Sequence, residues 1–474
     1  MKKALLFLIL IIFIIGCSKQ IGEKTEPQLT QPKESINEAP EEKSKGLEKP
    51  AQEEKKQEEA QVQVIAPVIE EEVKETPANW KNFHGDVART GFSPSKAPSK
   101  ANVLWKWNAD DLTNEGVEVF ELNWPIISND KVFLAIGDII SLDLTTGEKI
   151  WGYSGEKGSF FPRGLASGDG KIFATVNTGN SLKSLPPGFV YTFDEKTGKF
   201  LWKYQTKKGV SHSLPLFAEG RAFIGDDSGT VYSLDAETGK LIWQKELDAE
   251  VIHSSPAFED GIIFIGTERS SRSNALPSYL YALKASDGSE LWKFQVDYIP
   301  GKLNLIHSTP AISEGVAYVG SENGYFYAIS AEDGKLIWKS KIASGSGELI
   351  GTSAAAALGY GKVFISTYEG KFLALGQEDG KIEWGYNFGR ANADSSPVLA
   401  DEKVYFGVGE GGNGYFYSFN ATNGEVIWKE KLGGSSGAIA SGILIVQNAL
   451  AEDNLQPATP VIIAFSDEGK LPLW

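Results

Sequence analysis

A tryptophan recurs along this chain at nearly constant intervals, and a period of that size leaves few folds open. From Trp105 through Trp151, Trp202, Trp243, Trp292, Trp338, Trp384 and Trp428 to Trp474, the spacings are 46, 51, 41, 49, 46, 46, 44 and 46 residues. The same turn precedes most of them: Asp143-Leu144-Thr145-Thr146-Gly147 before Trp151, Asp194 to Gly198 before Trp202, and Asp235 to Gly239 before Trp243. With the Asp replaced it returns at Gly288, Gly334, Gly380 and Gly424, and in degenerate form at Gly469. A unit of about 46 residues that cannot bury its apolar face alone must stack on its neighbours.

Each unit holds four short alternating runs, here named A to D, as in 253–258, 262–267, 279–284 and 290–295. The C–D connection is a tight hairpin whose Gly supplies a positive φ. Nothing between the runs is long or periodic enough for a helix. Eight such units predict an all-β fold, an eight-bladed β-propeller of four-stranded antiparallel blades. In it the structural repeat residues Trp105, Trp151, Trp202, Trp243, Trp292, Trp338, Trp384 and Trp428 pack between neighbouring blades. The half-unit at 103–107 is expected to close the ring as the outer strand of the last blade. The C-terminal Leu471-Pro472-Leu473-Trp474 competes for that place, and Pro472 would suit it to an edge.

Composition narrows the chemistry. The formal charge of -16 repels a phosphate backbone, so nucleic acid is not an expected partner. One cysteine allows no internal disulfide and no Cys-based metal site, and one Met with four His leaves little material for soft-metal or acid–base work. That cysteine, Cys17, ends an apolar run too short to span a bilayer, Ala4 to Ile15, which follows Lys2 and Lys3. Residues 1–16 therefore read as an export signal resembling that of bacterial lipoproteins, with Cys17 as the lipidated first residue of the mature chain. Residues 17–78 hold no aromatic side chain, and 18–78 carry 15 acidic and 9 basic ones, the material of a disordered acidic tether. The folded body is 79–474.

Further marks identify the body as similar to the pyrroloquinoline quinone (PQQ)-type repeat family. They are the opening Trp80-Lys81-Asn82-Phe83-His84-Gly85-Asp86-Val87-Ala88-Arg89-Thr90-Gly91 and the Ser254-Ser255-Pro256, Ser308-Thr309-Pro310 and Ser395-Ser396-Pro397 triplets. The resemblance covers the whole of 80–474. It implies either of two functions. The quinoprotein alcohol and glucose dehydrogenases of the family use PQQ with calcium, and those with eight blades usually carry an adjacent Cys pair that this chain lacks. The envelope branch consists of exported lipoproteins that assist outer-membrane protein assembly without a cofactor, although the tether here is longer than that branch leads one to expect. The reading favoured is a non-enzymatic, lipid-anchored, monomeric scaffold outside the cytoplasm that binds protein partners in the envelope. A quinoprotein dehydrogenase and a cell-surface ligand-binding module are the alternatives.

Loop lengths point to a face. The A–B and C–D turns are short, whereas B–C loops swell at 177–188, 268–278 and 447–460, and D–A loops at 108–123 and 297–305. Both long classes leave the same side of an antiparallel blade, so partners are expected there. Three residues before the proline slot of each A strand lie Leu122, Pro162, His212, His253, His307, Ser353, Asp394 and Gly434. A strands line the central channel, so His212, His253, His307 and Asp394 could converge as a channel-mouth ligand site. Imidazoles beside a carboxylate can hold zinc. The expected use is instead bonding to neighbouring loops, with no metal.

Overall fold

The computed structural model describes residues 28–30, 79–108, 124–155, 159–160, 164–178, 187–210, 213–248, 254–268, 278–347, 350–389, 395–409, 414–432, 436–448 and 461–469. They form eight four-stranded antiparallel blades and, among the described residues, no helix. Seven blades are continuous in sequence, at 126–153, 165–205, 216–246, 257–295, 311–341, 357–387 and 398–430. The eighth joins 438–465 to Val103–Asn108, which pairs with Val461–Phe465 as its outer strand. The N-terminal strand therefore closes the ring within the sheet, as expected; residues 470–474 lie outside the described residues. Cys17 and the signal also lie outside them, and within the stretch read as a tether Gln28–Thr30 pairs with the outer edge at 385–387.

Blade four shows how the pattern becomes a sheet. Its strands are Ala257–Glu259, Ile262–Gly266, Tyr279–Lys284 and Glu290–Gln295. The A strand is shorter than the run at 253–258 suggests and begins only after Pro256, which has no N–H to give a ladder. In all eight blades the D strand carries a bulge one residue before its Trp. Trp292 faces Ala282 and Glu290 faces Leu283, so Leu291 is skipped. The same shift skips Leu104, Ile150, Leu201, Ile242, Ile337, Glu383 and Ile427. A bulge re-aims the next side chain, and here it turns each Trp toward the following blade.

The indole then meets the next C–D turn. Trp105, Trp151, Trp202, Trp243, Trp292, Trp338 and Trp384 each donate Nε1–H to the carbonyl three residues before the turn glycine of the following blade, at 2.8 to 3.3 Å. The ring lies so close to that glycine that a Cβ there would come within 2.5 to 2.7 Å of it. Glycine is thus required twice, for its positive φ and for this contact. Between the sheets, apolar side chains from two adjacent blades interdigitate, as where Phe372 stacks on Phe406 at 4.5 Å.

Candidate functional site: the central channel and its mouth

The Ser-x-Pro triplets build the channel wall. The hydroxyl two residues before the proline slot accepts from the B strand of its own blade, as in Gly266 N to Ser254 Oγ at 2.9 Å and Gly320 N to Ser308 Oγ at 2.9 Å. The hydroxyl one residue before it accepts from the same slot of the preceding blade: Leu214 N to Ser255 Oγ, Ser255 N to Thr309 Oγ1, Ala355 N to Ser396 Oγ and Ser396 N to Ser436 Oγ, at 2.8 to 3.1 Å. A buried backbone N–H needs a partner, and at the innermost edge of a blade the neighbouring blade supplies it.

Residues 80–93 floor the channel. The chain circles the inner strands of seven blades, pairing Trp80 with Ile127 and offering Lys81 O to Ser167 N, Asn82 Oδ1 to Phe217 N, Val87 O to Phe258 N, Ala88 O to Ile312 N, Thr90 O to Leu358 N and Gly91 O to Leu399 N. Phe92–Ser93 then runs parallel to 399–400. Arg89, fully buried, donates to the carbonyls of Pro256, Phe83 and Pro215 at 2.8 to 3.0 Å. Burial pulls its pKa down to about 9, opposed by nearby Asp86, and it remains cationic at neutral pH. His84 Nδ1 lies 2.8 Å from Arg89 O and Nε2 2.7 Å from Pro397 O; burial lowers its pKa although both carbonyls favour the charged ring. Phe83 packs edge-on to Trp124 and against Leu214 and Ala355.

At the channel end opposite residues 80–93 stands His307. Its Nε2 lies 2.6 Å from Glu268 Oε2 and its Nδ1 2.5 Å from Glu322 Oε1. Both ring nitrogens face carboxylates, which only an imidazolium can satisfy. Burial alone would lower the His307 pKa, but the bonds and charges of Glu268 and Glu322 outweigh it and push it up to about 10. Tyr368 also donates to Glu322 Oε1, at 3.0 Å, while Glu322 Oε2 is buried without a partner. The cluster joins blades four, five and six.

Of the residues expected to converge here, His307 is at the mouth, while His212, His253 and Asp394 lie outside the described residues, so no convergence among the four is described. The sequence reading missed Glu268 and Glu322. Both sit two residues after the glycine that ends a B strand, in Gly266-Thr267-Glu268 and Gly320-Ser321-Glu322, as does Asp227 in Gly225-Asp226-Asp227. Aligning B-strand ends as well as A-strand starts would have found them. Among the described residues no group of three or more His, Cys, Asp and Glu is arranged to hold a metal ion. The mouth carboxylates Glu268 and Glu322 are engaged with the His307 imidazolium.

A family model described as outer membrane protein assembly factor BamB matches residues 187–430, just over half of the chain. No curated protein matches the chain by sequence. Among solved structures, the quinohemoprotein alcohol dehydrogenase of Comamonas testosteroni aligns with a TM-score of 0.66 and 14% identity, over 84% of this chain and 81% of that one. BamB from Moraxella catarrhalis aligns with a TM-score of 0.59 and 16% identity, over 77% of this chain and 99% of that one. A europium-containing methanol dehydrogenase gives 0.62 and 13%, over 83% and 98%. At such identities these structures share the fold, which carries both scaffolds and quinoproteins.

Proposed function

Because this chain belongs to the repeat family described as outer membrane protein assembly factor BamB, we propose that it is a lipid-anchored, non-enzymatic scaffold of the cell envelope, binding protein partners through the face of its B–C and D–A loops. Assistance in outer-membrane protein assembly is its leading role. The family match carries this reading. Support comes from Cys17 at the end of an export signal and from mouth carboxylates already engaged by His307. Changing Cys17 to Ser is expected to abolish lipid labelling and release the protein from membranes; a Ser variant that still fractionates with membranes contradicts the anchor.

The second reading, a PQQ-dependent dehydrogenase, rests on the fold likeness to alcohol and methanol dehydrogenases. One experiment separates the two. The full chain is purified from its own membranes and its co-purifying proteins are identified by mass spectrometry, and the same preparation is supplied with PQQ, calcium, an alcohol and an electron-accepting dye. Barrel-assembly proteins in the eluate with no dye reduction support the scaffold. Saturable dye reduction that needs both PQQ and calcium overturns it.

A further inference from the structure

The outer strand of a blade presents a row of unpaired N–H and C=O groups to any extended chain, and charged side chains, lysine above all, are the usual defence. Seven of the eight D strands contain a lysine, whereas Ile382–Asn387, in blade six, contains none. In four blades the residue after the Trp is a lysine laid over C-strand aromatic rings: Lys203, Lys293, Lys339 and Lys429, with Nζ 5.1 to 5.7 Å from the ring centroids. Blade eight has Lys106 in that slot, and blade three has Gln244 followed by Lys245. Blade one has Gly152 there, but Lys149 folds over it, so close that a Cβ on Gly152 would lie 2.8 Å from Lys149 Cε.

Blade six has Gly385 in this slot, facing Leu373, where Tyr191, Tyr281, Tyr327 and Tyr417 face the lysines of the four blades named. Both the charge and the ring that holds it are gone. The strand's one charged residue, Glu383, is the bulged one and is paired with Lys362 at 2.6 Å. It is on this edge that a fifth strand lies. Gln28–Thr30 runs antiparallel to it in the register Gln28 to Asn387, Leu29 to Tyr386 and Thr30 to Gly385. Among the described residues no other D strand has a partner on its outer side. We propose that the outer edge of blade six at Gly385–Asn387 is a strand-accepting site, a surface for an extended peptide, and that its occupant is this chain's own Gln28–Thr30. Reach does not select the blade, because residues 31–78 would span roughly 160 Å if fully extended. The missing lysine does.

The test uses the full chain. Gln28→Cys paired with Asn387→Cys should form an intrachain disulfide on mild oxidation, with the bridging peptide identified by mass spectrometry to distinguish it from any bridge to Cys17. Gln28→Cys paired with Gln295→Cys, the equivalent position beside Lys293 on blade four, should bridge at least about tenfold more slowly, because docking raises the local concentration of the two thiols only on blade six. Adding Gly385→Lys with Leu373→Tyr to the first pair rebuilds the guarded edge and should slow its bridge by a similar factor. The blade-four comparison leaves the edge of blade six unaltered, so it stands even where the guarded variant folds poorly. Absence of the blade-six bridge, equal rates on the two blades, or a bridge that a folded guarded variant does not slow overturns the proposal. So does a bridge that forms only between two chains, which would give the edge to a second copy.

Discussion

Replacing Trp243 by Ala is expected to cost about 3–5 kcal/mol, the range for truncating a buried Trp. It is 8% exposed, seals the seam onto Gly288 and gives its N–H to Ala285 O. Denaturant unfolding checks this, and an unchanged midpoint would contradict the seam-packing role. Arg89→Met leaves three buried carbonyls without a donor and should cost several kcal/mol, at about 1–3 kcal/mol for each unmet group. Arg89→Lys should recover only part of it, since an ammonium lacks the planar fork that reaches three separate carbonyls. His307 makes a pH-dependent contribution. Its folded pKa of about 10 lies above the ordinary value of 6.5, so the stability it supplies is complete below pH 6.5 and is lost as pH rises through about 10. The gap in unfolding free energy between wild type and His307→Gln should therefore be larger at pH 6 than at pH 10. An equal gap would mean that the ring is not charged between Glu268 and Glu322.

The C–D hairpin is the element on which seven seams depend. Gly239→Ala asks a residue with a Cβ to hold a φ of +70° and places that Cβ 2.5 Å from Trp202. A measurable loss of stability is expected, of about 1–3 kcal/mol for the backbone strain alone, and a neutral substitution would contradict the docking geometry. These hairpins were legible in the sequence because Gly and Trp are each demanded by local geometry at a fixed offset. The closing strand was legible for a similar reason, as a half-unit whose missing half stands at the other end of the chain. The wrapping of residues 80–93 was not. Its partners come from seven different blades, and no local pattern announces a backbone that pairs with one residue of each. The mouth pair Glu268 and Glu322 escaped because their slot repeats only in B-strand register, whereas His307 had been placed by A-strand register. The bulges were silent because Leu291 and its equivalents look like ordinary strand residues until the ladder is drawn.

At the scale of the whole molecule, ring closure and floor are both supplied by residues 79–108, so the propeller is fastened by the segment that enters it from the N-terminal side. One face carries the short A–B and C–D turns, and His307 with Glu268 and Glu322 stands toward the other. On the function proposed above, protein partners are met on the side of the B–C and D–A loops. Tyr298, half exposed on the loop that follows the D strand of blade four, reports on that face, and Tyr360, on an A–B turn, reports on the opposite one. The most direct measurement replaces each in turn with a photo-activated cross-linking residue in the full chain, in its own cells, and identifies the adducts by mass spectrometry. A discrete adduct with an envelope assembly protein is expected from position 298 and none from position 360. Adducts from position 360 alone, or none from either, would contradict that proposal.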